Sequence, residues 1–211
     1  MVQRVAQFRS RRYSTYVPAC AYAADVIHGA AYEVDFLTPI AAVATGILNA
    51  VAGTSGTAMT TFGTDTADAP FGRNVTVGAG GNHTVVGKDY LGQAMTEVIA
   101  ASGTGNKAFK WIDSITPAFT GNVSAGFGSK LGLPYRMSNV MEETANGAEA
   151  TVGTFVAGVL TDPQTSTTGD PRGTYTPSTT LNGSNRILAK FLPYNVLNTN
   201  GNGGLYGIAH A

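Results

Sequence analysis

From residue 73 onward the chain repeats one device. Apolar side chains recur at every second position over short runs, and glycine-rich pieces cut the runs apart. In "RNVTVGA" Val75 and Val77 alternate with polar residues. After the turn "GAGGNH", residues 78 to 83, "TVVGKDY" resumes the extended pattern. In "GQAMTEVIAA" Met95, Glu97 and Ile99 share one side and Thr96 and Val98 the other. In "KAFKWIDSI" Phe109, Trp111, Asp113 and Ile115 lie on one face, and Ala108, Lys110, Ile112 and Ser114 on the opposite face. A period of two is that of a strand, whose successive side chains point to opposite sides. The glycine breaks between such runs predict hairpins, and so an antiparallel sheet with Trp111 in its core.

Composition agrees. Gly supplies 27 of 211 residues, and charged residues make up only 12%, about half the usual share. Surface helices draw on Lys and Glu, which are scarce here; small, β-branched and turn-forming residues favour strands and tight loops. The expected fold is mainly β: an antiparallel β-sandwich or jelly-roll-like domain with an extended N-terminal arm and long loops. The chain divides into an arm (1–35), a helix and loop connector (36–72), the β-sandwich (73–195) and a C-terminal tail (196–211). In the connector, Ile40, Val43, Ala44, Ile47, Leu48 and Val51 recur three or four apart, which predicts a short helix over 40–52. The apolar stretch 36–53 is short for a membrane span and is interrupted by Pro39 and Asn49, so no membrane insertion is expected.

Further along, "SKLGLPYRMSNV" is broken by Gly132 and Pro134 and reads as a loop or an edge strand. "EETANGAEA" reads as an acidic turn carrying Glu142, Glu143 and Glu149. Residues 161–185 hold too many Pro, Gly and Thr for a helix, and read as a long ordered loop of the functional kind. "RILAKFLPY" is a last strand.

The chemistry that the residues could carry is limited. Basic and acidic residues number 13 each, so there is no overall basic excess of the kind a generic nucleic-acid binder carries. Cys20 is alone, and His28, His83 and His210 are far apart with no second ligand at metal spacing. No metal or cofactor is expected. The "GAGGNH" loop lacks the Lys-Ser/Thr of a phosphate loop. Asp89, Glu97 and Asp113 could form a glycosidase-type dyad if two of them faced each other at about 5 to 9 Å, but on neighbouring strands they would instead pair with Lys88, Lys107 or Lys110. No catalytic residue is expected. The arm carries Arg4, Arg9, Arg11 and Arg12 with no acid before Asp25, followed by Tyr13, Tyr16 and Tyr22. Such an arm suits docking against a neighbour.

One longer pattern crosses these pieces. Arg73-Asn74 opens a strand, Gly87 to Gln93 makes a hairpin, and Met95 to Glu97 and Lys107 to Lys110 begin further strands; "GSKLGLPYR" (128–136) and "TGDPRGTYTPSTTLNGSNR" (168–186) follow in order. This arrangement, from about 73 to 192, resembles virion structural proteins of tailed double-stranded DNA bacteriophages. The resemblance implies a head or neck component without enzymatic activity. Within that group a capsid decoration, or cement, protein fits best. It would be located in the virion and assembled in the host cytoplasm. Its partners would be the major capsid protein or other virion proteins and its own copies, a trimer being favoured, with no specific nucleic acid. Docking residues would then be Arg9, Arg11, Arg12, Tyr13 and Tyr16, with the 161–185 loop between subunits. The alternatives are a neck, tail or fibre-anchoring component, a carbohydrate-binding β-sandwich module using Trp111 and Tyr90, and a depolymerase built on Asp89, Glu97 or Asp113.

Overall fold

The computed structural model describes residues 9–12, 30–62, 71–159 and 169–193, and every regular element among them is a strand. In chain order these are β1 (Arg9–Arg12), β2 (Ala30–Asp35), β3 (Val43–Gly53), β4 (Arg73–Val77), β5 (His83–Lys88), β6 (Ala94–Ile99), β7 (Trp111–Pro117), β8 (Gly121–Gly132), β9 (Met137–Ala145), β10 (Ala148–Ala150), β11 (Thr154–Ala157), β12 (Gly173–Thr176) and β13 (Ile187–Pro193). They form three antiparallel sheets: β6-β5-β7, then β11-β12-β8-β3 with β4 also on β8, and β1-β2-β13-β9-β10. The expected mainly-β sandwich is the fold observed.

Strand β8 organises the molecule. Phe127 pairs with Val75 of β4 and with Val43 of β3, and Leu131 pairs with Arg73 of β4 and with Tyr175 of β12. A residue has one partner on each side, so β4 runs along one edge of β8 while β3 and β12 share the other. The first part of β8 closes an aliphatic core. Val75, Val77, Val123, Ala125, Ile47 and Leu48 meet Val85, Met95, Ile99, Ile112 and Ile115 of the three-stranded sheet. Its far end enters a second core, where Leu131 packs with Phe36, Phe71, Met137, Tyr175, Ile187 and Phe191. Phe36 stacks on Tyr175, and Phe191 meets both edge-on.

The alternation in "AMTEVI" is realised: Met95, Glu97 and Ile99 are buried and Val98 is exposed. The hairpin expected at Gly87 to Gln93 joins β5 to β6, in register from His83↔Ile99 to Lys88↔Ala94. Asp89 closes it, its Oδ1 accepting the N–H groups of Leu91 at 2.8 Å and Gln93 at 2.9 Å. "RILAKFLPY" is β13, central in its sheet.

Several expectations are corrected. The helix over 40–52 is strand β3. Its three-and-four spacing comes from register shifts between Val43 and Leu48 and between Leu48 and Val51. The bulges place Ile47 and Leu48 together inside and leave Ile40, Val43 and Val51 exposed, so a broken period of two imitates a helical stripe. Trp111 is exposed, not core. A register shift between Val86 and Gly87 skips Asp113, so Ile112 and Ile115 both face inward. The turns at 78–82 and 100–106 do not close hairpins. The first carries the chain from β4 to β5 in another sheet, and the second returns to β4 through the bridges Thr76↔Thr104 and Arg73↔Phe109. "SKLG" completes β8, which is central and not an edge. The acidic turn is a β9–β10 hairpin whose tip, Asn146-Gly147, has φ of 53° and 84°, the left-handed pair that two-residue hairpins require. The 161–185 loop contains β12, and its residues 161–168 lie outside the described residues. In the segments expected as arm and connector, β2 and β3 pair with β13 and β8. Among the described residues no helix is long and apolar enough to cross a membrane, and residues 43–53 of the apolar stretch are strand β3.

Candidate functional site: a buried polar seam and the docking arm

The sequence-derived acids end up apart in role. Asp89 is fully buried, and its Oδ2 meets Arg172 Nη1 at 2.8 Å while its Oδ1 stays in the hairpin turn. Glu97 points into the body between β6 and the returning chain, where Oε1 accepts Asn106 N at 2.6 Å and Oε2 accepts Lys107 N at 3.2 Å. Burial pushes the Glu97 carboxyl above its usual range, opposed by those N–H groups and by the charges of Lys107 and Lys130. Of the lysines expected to pair with the acids, Lys107 is the one that faces Glu97. Asp113 is exposed at the bulge of β7. The two buried carboxylates thus have separate partner sets made mostly of backbone N–H.

Arg172 and Asp170 complete the arrangement. Arg172 Nε donates to Leu133 O at 3.0 Å, and Asp170 Oδ1 accepts Arg172 N at 2.9 Å and Gly173 N at 3.0 Å. The other Asp170 oxygen accepts Ala108 N at 2.9 Å. Burial raises the Asp170 pKa against the pull of Arg172. One short segment before β12 therefore binds the β5–β6 turn, the chain leading into β7 and the turn after β8. The seam lies between the two cores and ties them together.

Two further polar anchors sit nearby. Arg73, buried and with its pKa lowered by burial to about 10, donates to Ile40 O at 2.7 Å and to Gly128 O. Asn74 bridges Gly105 O at 3.0 Å and Lys130 N at 2.9 Å. In the aromatic half Glu143 of β9 accepts the N–H groups of Gly153 at 3.1 Å, Ser178 at 3.0 Å and Thr179 at 2.9 Å, and the hydroxyl of Tyr175. Burial alone would raise its pKa, but the hydrogen bonds from Thr179, Tyr175 and Ser178 outweigh it and hold the carboxyl below its usual range. These groups cross-link loops.

Sequence reasoning did not find Asp170, Arg172 or Glu143. The first two had a local signal: Asp-Pro-Arg-Gly is a turn whose aspartate bonds the backbone two and three residues on. Nothing local marks Glu143, because its partners lie 10 to 36 residues away.

Of the docking residues, Arg9, Arg11 and Arg12 form β1, an edge strand opposite Glu33, Ala31 and Ala30 of β2. Tyr13 and Tyr16 lie outside the described residues. No group of His, Cys, Asp and Glu side chains suited to a metal ion occurs among the described residues. His83 is buried with neither ring nitrogen in a well-formed hydrogen bond, the Gly81 backbone being a weak polar contact, and with Phe119 edge-on at 5.3 Å. The chain matches no family model, no curated protein and no solved structure.

Proposed function

We propose that this chain is a non-enzymatic structural component of a phage virion, a decoration or cement protein that bridges subunits of the capsid and works beside its own copies. The observation that carries the reading is how the buried charges are used. Asp89, Glu97, Glu143, Asp170 and Arg172 are all enclosed and bonded to the chain itself, which makes a stiff block suited to being gripped. The resemblance across 73–192 supplies the virion setting. The arginines of β1 and the tyrosines after it are the proposed contact with the shell, where many repeated small contacts add up to avidity.

The test is co-sedimentation of the purified chain with undecorated phage shells, followed by heating of the decorated particles. Binding along the shell and a higher shell melting temperature are expected, with both reduced in an Arg9→Ala, Arg11→Ala, Arg12→Ala variant. Binding confined to necks or tails would move the protein to that part of the particle. No binding to any particle overturns the reading.

One observation favours a second reading, a carbohydrate-binding module. Trp111 is 38% exposed, with the Lys110 ammonium 5.4 Å from its ring centre. A glycan-array signal that disappears in Trp111→Ala would establish it.

A further inference from the structure

Residues 36–62 contain no Asp, Glu, Lys, Arg or His. This uncharged segment includes β3, whose outer edge has no strand partner among the described residues. Long edge strands are normally blunted by lysine, proline or brevity, because an open edge recruits other chains. Three of the other edges use such devices: β11 has four residues and β10 has three, and β1 carries three arginines. Strand β3 runs for 11 residues with no lysine, arginine or proline, and its two register shifts are the one device that interrupts its edge. Ile40, Val43 and Val51 are 52%, 45% and 42% exposed, and Ala41, Ala42, Ala44, Ala50 and Ala52 beside them are exposed too.

We propose that this face is where a second copy of the chain docks. Three features select that occupant. A patch that meets itself across a two-fold axis must not repel itself, and a charge-free patch meets that condition. Burying it desolvates no ion, and its alanines let two backbones approach closely. The exposed residues from Thr38 through Thr61 also approach the 20 or so per side that a stable interface uses. The two register shifts in β3 prevent an unbroken ladder between copies, so the contact is side-chain packing around Val43 and Val51.

Sedimentation velocity across the micromolar range tests this. The wild type is expected to self-associate. A Val43→Asp, Val51→Asp variant, with unchanged circular dichroism, is expected to run as a monomer, and Ala42→Lys to weaken association at least tenfold. A Thr84→Asp, Val98→Asp control, on the outward side of the β5–β6 pair, is expected to associate as the wild type does. A monomeric wild type, an oligomer that survives the β3 charges, or equal loss in the control overturns the proposal. Should the Val43 and Val51 replacements disturb folding, Ala42→Lys decides alone. Shell binding is read separately, so an oligomer that ignores shells would end the virion reading and leave this interface standing.

Discussion

The two cores are built by different rules. The one between β3, β4, β8 and the β6-β5-β7 sheet is mainly aliphatic, with Val, Ile, Leu, Met and Ala around Phe109 and Phe127. The one around β2, β9, β12 and β13 is aromatic, with Phe36, Phe71, Tyr175 and Phe191 against one another, and it is bordered by the buried charges Glu143, Asp170 and Arg172. In the first, strand period, interrupted by the register shifts of β3 and β7, places the side chains, and stability follows the apolar area buried. In the second, the four-residue β12 and the connections around it do not place themselves, and hydrogen bonds to carboxylates fix the loops. A polar anchor of this kind is all-or-none: satisfied it specifies one arrangement, and with one partner removed it leaves a buried charge exposed to nothing.

The largest effect expected from this contrast is at the seam. Arg172→Ala removes the partner of Asp89 and the donor to Leu133 O, and a broken buried pair costs about 3–5 kcal/mol. Urea unfolding followed by fluorescence and circular dichroism should show that loss and separate the two cores into two transitions. A single transition with a loss below that of an aliphatic trimming would erase the distinction. Such a trimming comes next: Ile115→Val, fully buried in the aliphatic core, should cost about 0.5–1.5 kcal/mol and leave unfolding in one step.

The smallest effect concerns pH. Burial depresses the His83 pKa below its ordinary 6.5, only partly offset by the Gly81 backbone. The unfolded chain therefore takes up a proton first, and His83 removes stability as pH falls from 6.5 towards the folded value. Glu143 acts at lower pH. Its depressed pKa gives stability that is present above the ordinary 4.5 and lost as pH falls through the folded value. Glu97 and Asp170, both raised, have the opposite sign and relax on acidification. The wild-type minus His83→Leu difference in unfolding free energy isolates the histidine. It should shrink in favour of the variant below pH 6.5, and a flat difference would remove His83 from the account.

Legibility in the sequence followed the regularity of each strand. Met95, Glu97 and Ile99 were placed correctly because β6 keeps an unbroken period. Trp111 and Ile112 were exchanged because one bulge at Asp113 reverses the phase, and bulges have no signature of their own here. The segment 40–52 was misread for the same reason, twice over. In the aromatic half Glu143 looked like a surface acid in an acidic turn. Its burial depends on Ser178 and Thr179 arriving from 35 and 36 residues away, which no local pattern records. The arm was legible as basic and aromatic; its pairing partner β2 was not read as a strand, although Tyr32, Val34 and Phe36 alternate there with Glu33 and Asp35, and Val34 and Phe36 are buried.

Strand β8 serves both cores with one uninterrupted backbone, and at Gly126 it passes so close to β3 that an added Cβ would sit 1.6 Å from the Val43 carbonyl oxygen. A force applied to one half therefore reaches the other through covalent bonds. Pulled lengthwise, its hydrogen bonds to β3 and β4 share the strain side by side and resist together, whereas a force peeling β3 sideways would open them one after another. A pull along β8 is therefore expected to meet more resistance than one across it.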